Sequence, residues 1–528
     1  MKRKMEVMTN MEAFQIFAED NMWRQIWPEL SLVLGAVLVL LVDLFGSKGQ
    51  KNSSLSGSLA ILIQLFLLVY HLLDYLLINH TFERSSFSGM LCHGFQGDVA
   101  RTFFLLASLC ISIMGNRYLF LNRSRVGEFH HLTMVATAGL MLLCQSNNFI
   151  VLFVALETVA LAFYPLVAYN TNSEKSLEAG LKYLIFGALS SALLLLGIVF
   201  LYGVGSNPEA WGANANADNS MDYLSFEYVG DLLFHNPDNL FLRGGVVLIL
   251  AGLAFKIGAA PFQIWVADVY HGSPTPITAF LAVSSKAAGF FLLLTLVNGP
   301  FFGVSDFLLP LIGVVATFTI LFGNLAACAQ KNIKRMLGLS GVAHAGYLLV
   351  AVMASMHFAG DSDRAVWVVY FYLFIYLFAS ILIFAVMSLA HVENSDEDQQ
   401  FEHYQGLLRK HPWIALSLLV GIASLAGIPP FGGFIAKLML FNVAFEAKLY
   451  WSMVSMVLGV VISIYYYFGW IREICFQPKP RFDDEDKDQD LWLRLDQIGL
   501  IKFTIISFAL VSFVLGIWQG PFGDAFSW

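Results

Sequence analysis

Charge is what this chain has least of. Only 13% of its 528 residues are Asp, Glu, Lys or Arg, about half the share usual in a soluble protein. Cysteine is scarce as well. Cys92, Cys110, Cys144, Cys328 and Cys475 are scattered without a CxxC pair, which argues against iron–sulfur, zinc or thiol redox chemistry in this chain. It has no Rossmann glycine fingerprint and no P-loop, so neither a dinucleotide nor ATP is expected to bind. Segments of about ten residues with strict alternation are missing too, which argues against a β-barrel. The opening MKRKMEVMTNMEAFQIFAEDNMWRQIW is polar and has no apolar core, so it does not read as a cleaved signal. Met5, Met8 and Met11 leave the true start open. The net charge of −8 comes largely from loops such as DDEDKDQD (483–490) and gives no support to a nucleic-acid role.

What the chain has in abundance is apolar length. Hydrophobic residues make up 58% and mean hydropathy is +0.68. Long runs approach the roughly 20 residues needed to cross a bilayer as a helix. The pattern predicts an all-α polytopic membrane protein of about 14 transmembrane helices. The expected spans are 28–46, 55–78, 100–120, 129–146, 148–170, 176–204, 240–270, 274–298, 306–329, 332–356, 364–391, 413–448, 450–474 and 498–519. A loop without apolar period is expected over 205–239 and a small hairpin within 79–99. The odd-to-even connections carry about sixteen Lys or Arg and the opposite side about three, which puts both termini on the outer side. Four further basic residues in the N-terminal tail count against that orientation.

Two spans share a build. In FKIGAAPFQIW (255–265) and GIPPFGGFIAK (427–437) Gly and Pro interrupt an apolar helix close to a lysine. The breaks lie five spans apart, and an odd number of helices per repeat forces the second copy to run inverted. Broken helices in inverted repeats point to the ion path of a transporter. The expected organisation is a polar segment 1–27, three helices over 28–128, a five-helix repeat over 129–298, its inverted copy over 306–474, a charged loop 475–497 and a last helix in 498–528.

Lone ionisable residues inside apolar helices carry the functional reading. A charge at the bilayer centre costs roughly 2.5–3.5 kcal/mol on insertion scales, so such residues are expected to face a protein interior or wet cavity. Glu157 lies mid-span and reads either as a proton-loading carboxylate or as a structural group bonded to a neighbouring helix. Lys256 stands just before Pro261; it either pairs with Glu157 or satisfies carbonyls freed by the break. Lys286 sits among small residues, too deep for easy snorkelling, and Lys437 follows the second break. Lys182, four residues after Glu178, reads equally as a surface ion pair or a relay group. His344 is a possible link between Lys286 and Lys437, or a bonded core histidine. His130, His131, Asp43, Asp74 and His271 read as interfacial or subunit-contact groups, and the many aromatic residues as lipid-facing and belt positions.

Together these stretches resemble a known family. AGLAFKIGAAPFQIWVADVYHGSPTPITAFLAVSSKAAGF (251–290), KNIKRMLGLSGVAHAGYLL (331–349) and LAGIPPFGGFIAKLMLF (425–441) are similar to signatures of subunit N of the proton-translocating NADH:quinone oxidoreductase, respiratory complex I, called subunit 2 in plastids and mitochondria. The resemblance implies that Glu157 and Lys256 form a carboxylate–lysine pair. It makes Lys286 the central lysine and Lys437 the exit-side lysine, with Lys182 and His344 accessory. It implies a translocase subunit without its own cofactor. NADH or another donor, FMN, iron–sulfur clusters and a quinone would be handled by other subunits. The implied partners are the antiporter-like L and M subunits, the small K, J and A/H-type subunits, and the bilayer of an energy-coupling membrane, in first place a prokaryotic inner membrane. The alternatives are a cation/proton antiporter or secondary transporter, and a purely structural membrane subunit.

Overall fold

A computed structural model describes residues 21–46, 54–77, 84–121, 125–207, 222–358, 363–389, 396, 398–476 and 499–518. The N-terminal tail before residue 21, the loop residues 208–221 and the DDEDKDQD run lie outside them. The expectations for those stretches, and for the orientation of the termini, therefore lie outside the described residues.

In hydrocarbon every backbone N–H and C=O must be satisfied within the chain, which turns apolar runs into helices. The helices are α1 Trp27–Gly46, α2 Ser54–Leu77, α3 Phe95–Leu121, α4 Val126–Cys144, α5 Phe149–Val167, α6 Glu174–Gly205, α7 Phe226–His235, α8 Leu240–Ile257, α9 Ile264–Gly272, α10 Thr275–Asn298, α11 Ser305–Cys328, α12 Ile333–His357, α13 Asp363–Leu389, α14 Pro412–Ala426, α15 Gly432–Glu446, α16 Tyr450–Cys475 and α17 Gly499–Ile517. Among the described residues twelve helices are long and apolar enough to cross a membrane. Apolar helices over Pro412–Ala426 and Ile501–Ile517 are shorter. The apolar windows of α12 and α13 are wholly buried within the protein, whereas those of α1, α2, α6, α11 and α16 are less than two-fifths buried. α12 and α13 therefore form the centre, and the lone polar groups they carry face protein rather than lipid.

Both expected interruptions are present, and they are built alike. α8 ends at Gly258 (φ +74°) and α14 at Gly427 (φ +82°). In each, the glycine N–H and the N–H of the next residue bond back into the final turn: Gly258 to Phe255 and Ala259 to Ala254, Gly427 to Ser424 and Ile428 to Ala423. This is a Schellman ending, which the left-handed glycine makes possible. Pro261, Pro429 and Pro430 cannot rejoin the ladder, so α9 and α15 start afresh. A third irregularity is a π-helical turn over Leu281–Ser285, inside α10 and immediately before Lys286. Such turns are frequent at functional sites.

Small residues bring the central helices together, as membrane packing favours. A side chain on Gly323 of α11 would meet the Ala343 nitrogen of α12 at 2.5 Å. The expected hairpin appears as strands Arg84–Ser86 and Leu91–His93, paired antiparallel. The 205–239 segment departs from expectation, because Phe226–His235 is a helix: its buried Phe226, Val229, Leu232 and Leu233 recur at helical spacing.

Candidate functional site

Glu157 stands on α5, half-buried. Its carboxylate accepts a hydrogen bond from the Ser191 hydroxyl of α6. No ion pair or hydrogen bond joins Glu157 to Lys256 among the described residues. The expected contact pair is not formed, and the side chain bonded to the Glu157 carboxylate is Ser191. Lys256, on the last turn of α8, does not cap the break. The Phe255 carbonyl receives the Trp265 indole N–H at 3.1 Å, and the Ala260 N–H goes to Thr319 Oγ1 at 3.0 Å. Lys256 instead lines a cavity of about 20 Å³ with Leu253, Tyr183, Ser285, Ala288 and Gly289. Its volume is that of about one water; most of its lining, including Leu140, Leu143, Leu156 and Leu292, is apolar, and it reaches Ser285, the residue before Lys286.

Lys286 is 5% exposed. Its ammonium donates to the Gly341 carbonyl of α12 at 2.6 Å and lies 3.5 Å from the Tyr376 hydroxyl of α13. The Tyr376 ring is 5.2 Å from the His344 ring. His344 Nδ1 shares a hydrogen bond of 2.6 Å with the Tyr372 hydroxyl, and its Nε2 lies 3.5 Å from the Tyr467 hydroxyl. On its other side the His344 ring stands edge-on to Tyr347 at 5.9 Å. Lys437 closes the row with its ammonium 5.6 Å from the centre of the Tyr347 ring. It reaches back across the break of its own span to the Leu425 and Ala426 carbonyls, at 2.8 and 2.9 Å.

The row therefore runs Lys286, Tyr376, His344, Tyr347, Lys437, and all five are buried. Lys286 and Lys437 are seated on carbonyl dipoles, not on carboxylates. Losing a proton from either leaves no buried unpaired anion behind, which is the costly outcome for a broken ion pair. Imidazole and phenol groups between them can accept and donate hydrogen bonds. Lys286 and Lys437 can therefore lose and regain a proton without opening an ion pair.

Lys182 lies elsewhere. It contacts Glu178 at 2.6 Å and Asp268 of α9 at 2.7 Å, and Arg335 donates to the same Asp268 at 2.9 Å. With its side chain about one-third exposed, it belongs to an ion-pair network at the edge of the protein. His130, expected at an interface, is fully buried, and Asp43 accepts from Ser56 at 3.0 Å. The reading of aromatics as lipid-facing fails for Tyr347 and Tyr376 of the row and for Tyr372 and Tyr467, which flank His344: all four are buried. With Gly341 and Ser191 they are the site residues that sequence reasoning missed. Nothing in their residue types sets them apart within these helices. Among the described residues no group of three His, Cys, Asp or Glu stands together as a metal site.

The family described as NADH:quinone oxidoreductase/Mrp antiporter, transmembrane, matches residues 146–463. The NADH-quinone oxidoreductase subunit N 1 of Opitutus terrae is 44% identical over 517 residues, covering 97% of this chain and 99% of that one. This chain belongs to the subunit N family of NADH-quinone oxidoreductases. A chain of respiratory complex I from Thermus thermophilus superposes with a TM-score of 0.70 at 27% identity, over 93% of this chain and 97% of that one. A chain of the Mrp complex from Dietzia gives a TM-score of 0.78 at 18% identity, over 96% of each, and shares the fold. The subunit N family is thus built on an architecture found also in an Mrp complex. The chain is a multi-pass membrane protein of that family.

Proposed function

We propose that this chain is the proton-translocating membrane-arm subunit N of an NADH-quinone oxidoreductase, in which quinone reduction in other subunits drives protons through Glu157, Lys256, Lys286, His344 and Lys437. The observation that carries the reading is the buried row from Lys286 through Tyr376, His344 and Tyr347 to Lys437, in which Lys286 meets the Tyr376 hydroxyl at 3.5 Å and the later steps are ring contacts of 5.2, 5.9 and 5.6 Å. The water-sized cavity lined by Lys256 and Ser285 supports the entry of Lys256 into the same path. Lys182 acts as an accessory charge on the Lys256 side. The two matching breaks support a division into inverted five-helix repeats over 129–298 and 306–474, flanked by the segments 1–27, 28–128, 475–497 and 498–528. Donor oxidation with FMN and iron–sulfur clusters belongs to partner subunits. The lateral neighbours are the L and M antiporter-like chains and the small K, J and A/H-type subunits. The host membrane is a prokaryotic inner membrane with both termini outside.

A row of sites, and not one site, follows from energetics. Moving a charge against the field costs about 2.3 kcal/mol per 100 mV, whereas a one-unit pKa change supplies about 1.4 kcal/mol. Several coupled groups must change in turn. The likeness in fold to an Mrp chain favours a second reading, gradient-driven cation/proton exchange.

The test is Lys256→Met and Glu157→Gln in the assembled complex, reading protons moved per electron in proteoliposomes. Normal assembly with reduced proton movement is expected. Loss of assembly would indicate a structural role, and intact pumping would refute the relay. Sodium-dependent exchange by the isolated chain would favour the antiporter.

A further inference from the structure

A buried ion pair on α12 stands outside the row described above. Lys334, near the start of α12, is fully buried, and its ammonium lies 3.0 Å from Asp396 Oδ2, itself 7% exposed. Lys334 also donates to the Ser273 carbonyl at 3.0 Å. Asp396 collects donors from three other directions: the Thr275 N–H at 2.9 Å and its hydroxyl at 2.5 Å, the Tyr118 hydroxyl of α3 at 2.8 Å, and Gln399 Nε2 at 3.2 Å. Four separate pieces of chain therefore meet on one carboxylate. They do so at the end of the molecule that the Lys and Arg count assigns to the inner side.

This pair points along the relay. Lys334 is seven residues before Gly341, whose carbonyl seats Lys286. Seven residues keep one helix face and span about 10 Å. Polar groups stand at the Lys334 end of that interval. The Thr278 hydroxyl bonds the Ser273 hydroxyl at 2.7 Å and the Ser273 carbonyl at 3.1 Å. Buried Tyr270 packs against Gly338, which stands between Lys334 and Gly341 in the α12 sequence. Outward, Asp398 is half-exposed, 3.0 Å from Lys175 and 3.8 Å from His271, so a surface carboxylate stands two residues from the buried one.

We infer that Asp396 and Lys334 form the loading site through which protons from the inner side reach Lys286, a role that rests on the relay reading above. One proton taken up by the Asp396 carboxylate neutralises it and releases Lys334 from the pair. Lys334 then gives one proton to a neutral Lys286 farther along the same face of α12, and the Asp396 carboxyl returns its proton to the Lys334 amine. One proton enters and one arrives. Both residues of the pair end as they began.

A buried pair is equally suited to holding the junction together, so the test must part the two roles. Removing one partner alone strands a buried charge and is expected to impair assembly. Lys334→Arg keeps the positive charge and the carboxylate contact but cannot release a proton. Lys334→Met with Asp396→Asn removes both charges together. Each is made in the whole complex and measured in proteoliposomes as protons moved per electron, beside wild type and Lys286→Met. The loading role predicts that the variants assemble, retain quinone reduction, and fall to the ratio of Lys286→Met. A wild-type ratio in Lys334→Arg or in the double variant overturns the loading site and leaves the relay standing. Failure of both to assemble assigns the pair to holding the junction and also overturns it. A wild-type ratio in Lys286→Met refutes the relay itself.

Discussion

Gly341→Ala is the sharpest probe of the row, because it adds one methyl and changes no charge. A Cβ on Gly341 would lie 2.6 Å from the Lys286 ammonium nitrogen and 3.0 Å from the Tyr376 hydroxyl. Ordinary contact between such atoms is about 3.5–4.0 Å, so the ammonium must retreat by about 1 Å. It then loses its 2.6 Å bond to the Gly341 carbonyl. A hydrogen bond made by a charged group contributes about 1.5–3 kcal/mol, or roughly 10- to 100-fold in rate if lost on the way to transfer. A misplacement of about 1 Å alone can cost about 100-fold. The helix does not suffer, because alanine is favoured over glycine in a helix interior by about 0.5–1 kcal/mol. The expected result is a complex that assembles, melts somewhat below wild type because a buried ammonium has lost a partner, and moves protons through this subunit about 10- to 100-fold more slowly. The assay is dye-reported proton uptake into proteoliposomes against quinone-coupled electron transfer, with a thermal melt of the same sample. An assembled Gly341→Ala complex with the wild-type ratio would mean that the Lys286 seat is not on the path.

Gly427→Ala should act on the other lysine. A left-handed residue with a Cβ costs roughly 1–2 kcal/mol, and the new carbon would stand 2.9 Å from Lys437 Cδ, so both melting temperature and proton movement should fall; an unchanged melt would contradict the observed turn. Lys182→Met should cost under about 1 kcal/mol in stability, since its pairs are about one-third exposed. It should lower the proton ratio less than Lys256→Met does, and a wild-type ratio would remove it from the accessory set. Outside the spans, burial and then the Arg101 charge push the His93 imidazole down to about 4. The neutral ring's contribution is complete above about pH 6.5 and is lost as pH falls toward 4, by up to about 3 kcal/mol. Hydrogen exchange in the Arg84–His93 hairpin, corrected for intrinsic rates, should show protection falling from pH 7 to pH 5, and His93→Gln should flatten that change.

What could be read beforehand was whatever carries a local cost. A lysine among apolar residues, or a Gly–Pro interruption in a span, is expensive wherever it sits, and so Lys256, Lys286, Lys437 and both breaks stood out from the residue string. The seats of those lysines carry no such mark. Tyr376 and Tyr467 look like any belt tyrosine until α12 is seen wrapped by its neighbours. Gly341 reads as one more small residue in a helix. Lys334 and Asp396 lie in the charged runs KNIKR and ENSDED, which resemble solvated loops, yet the fold closes over both. Glu157 shows the converse limit. Its charge was legible, but its direct partner turned out to be Ser191, an uncharged residue 34 positions away. A hydroxyl costs too little in an apolar helix to draw notice. A proton path made of carbonyls, hydroxyls and rings therefore leaves only its charged stations visible in sequence, and the groups between them emerge only once helices distant in the chain are side by side.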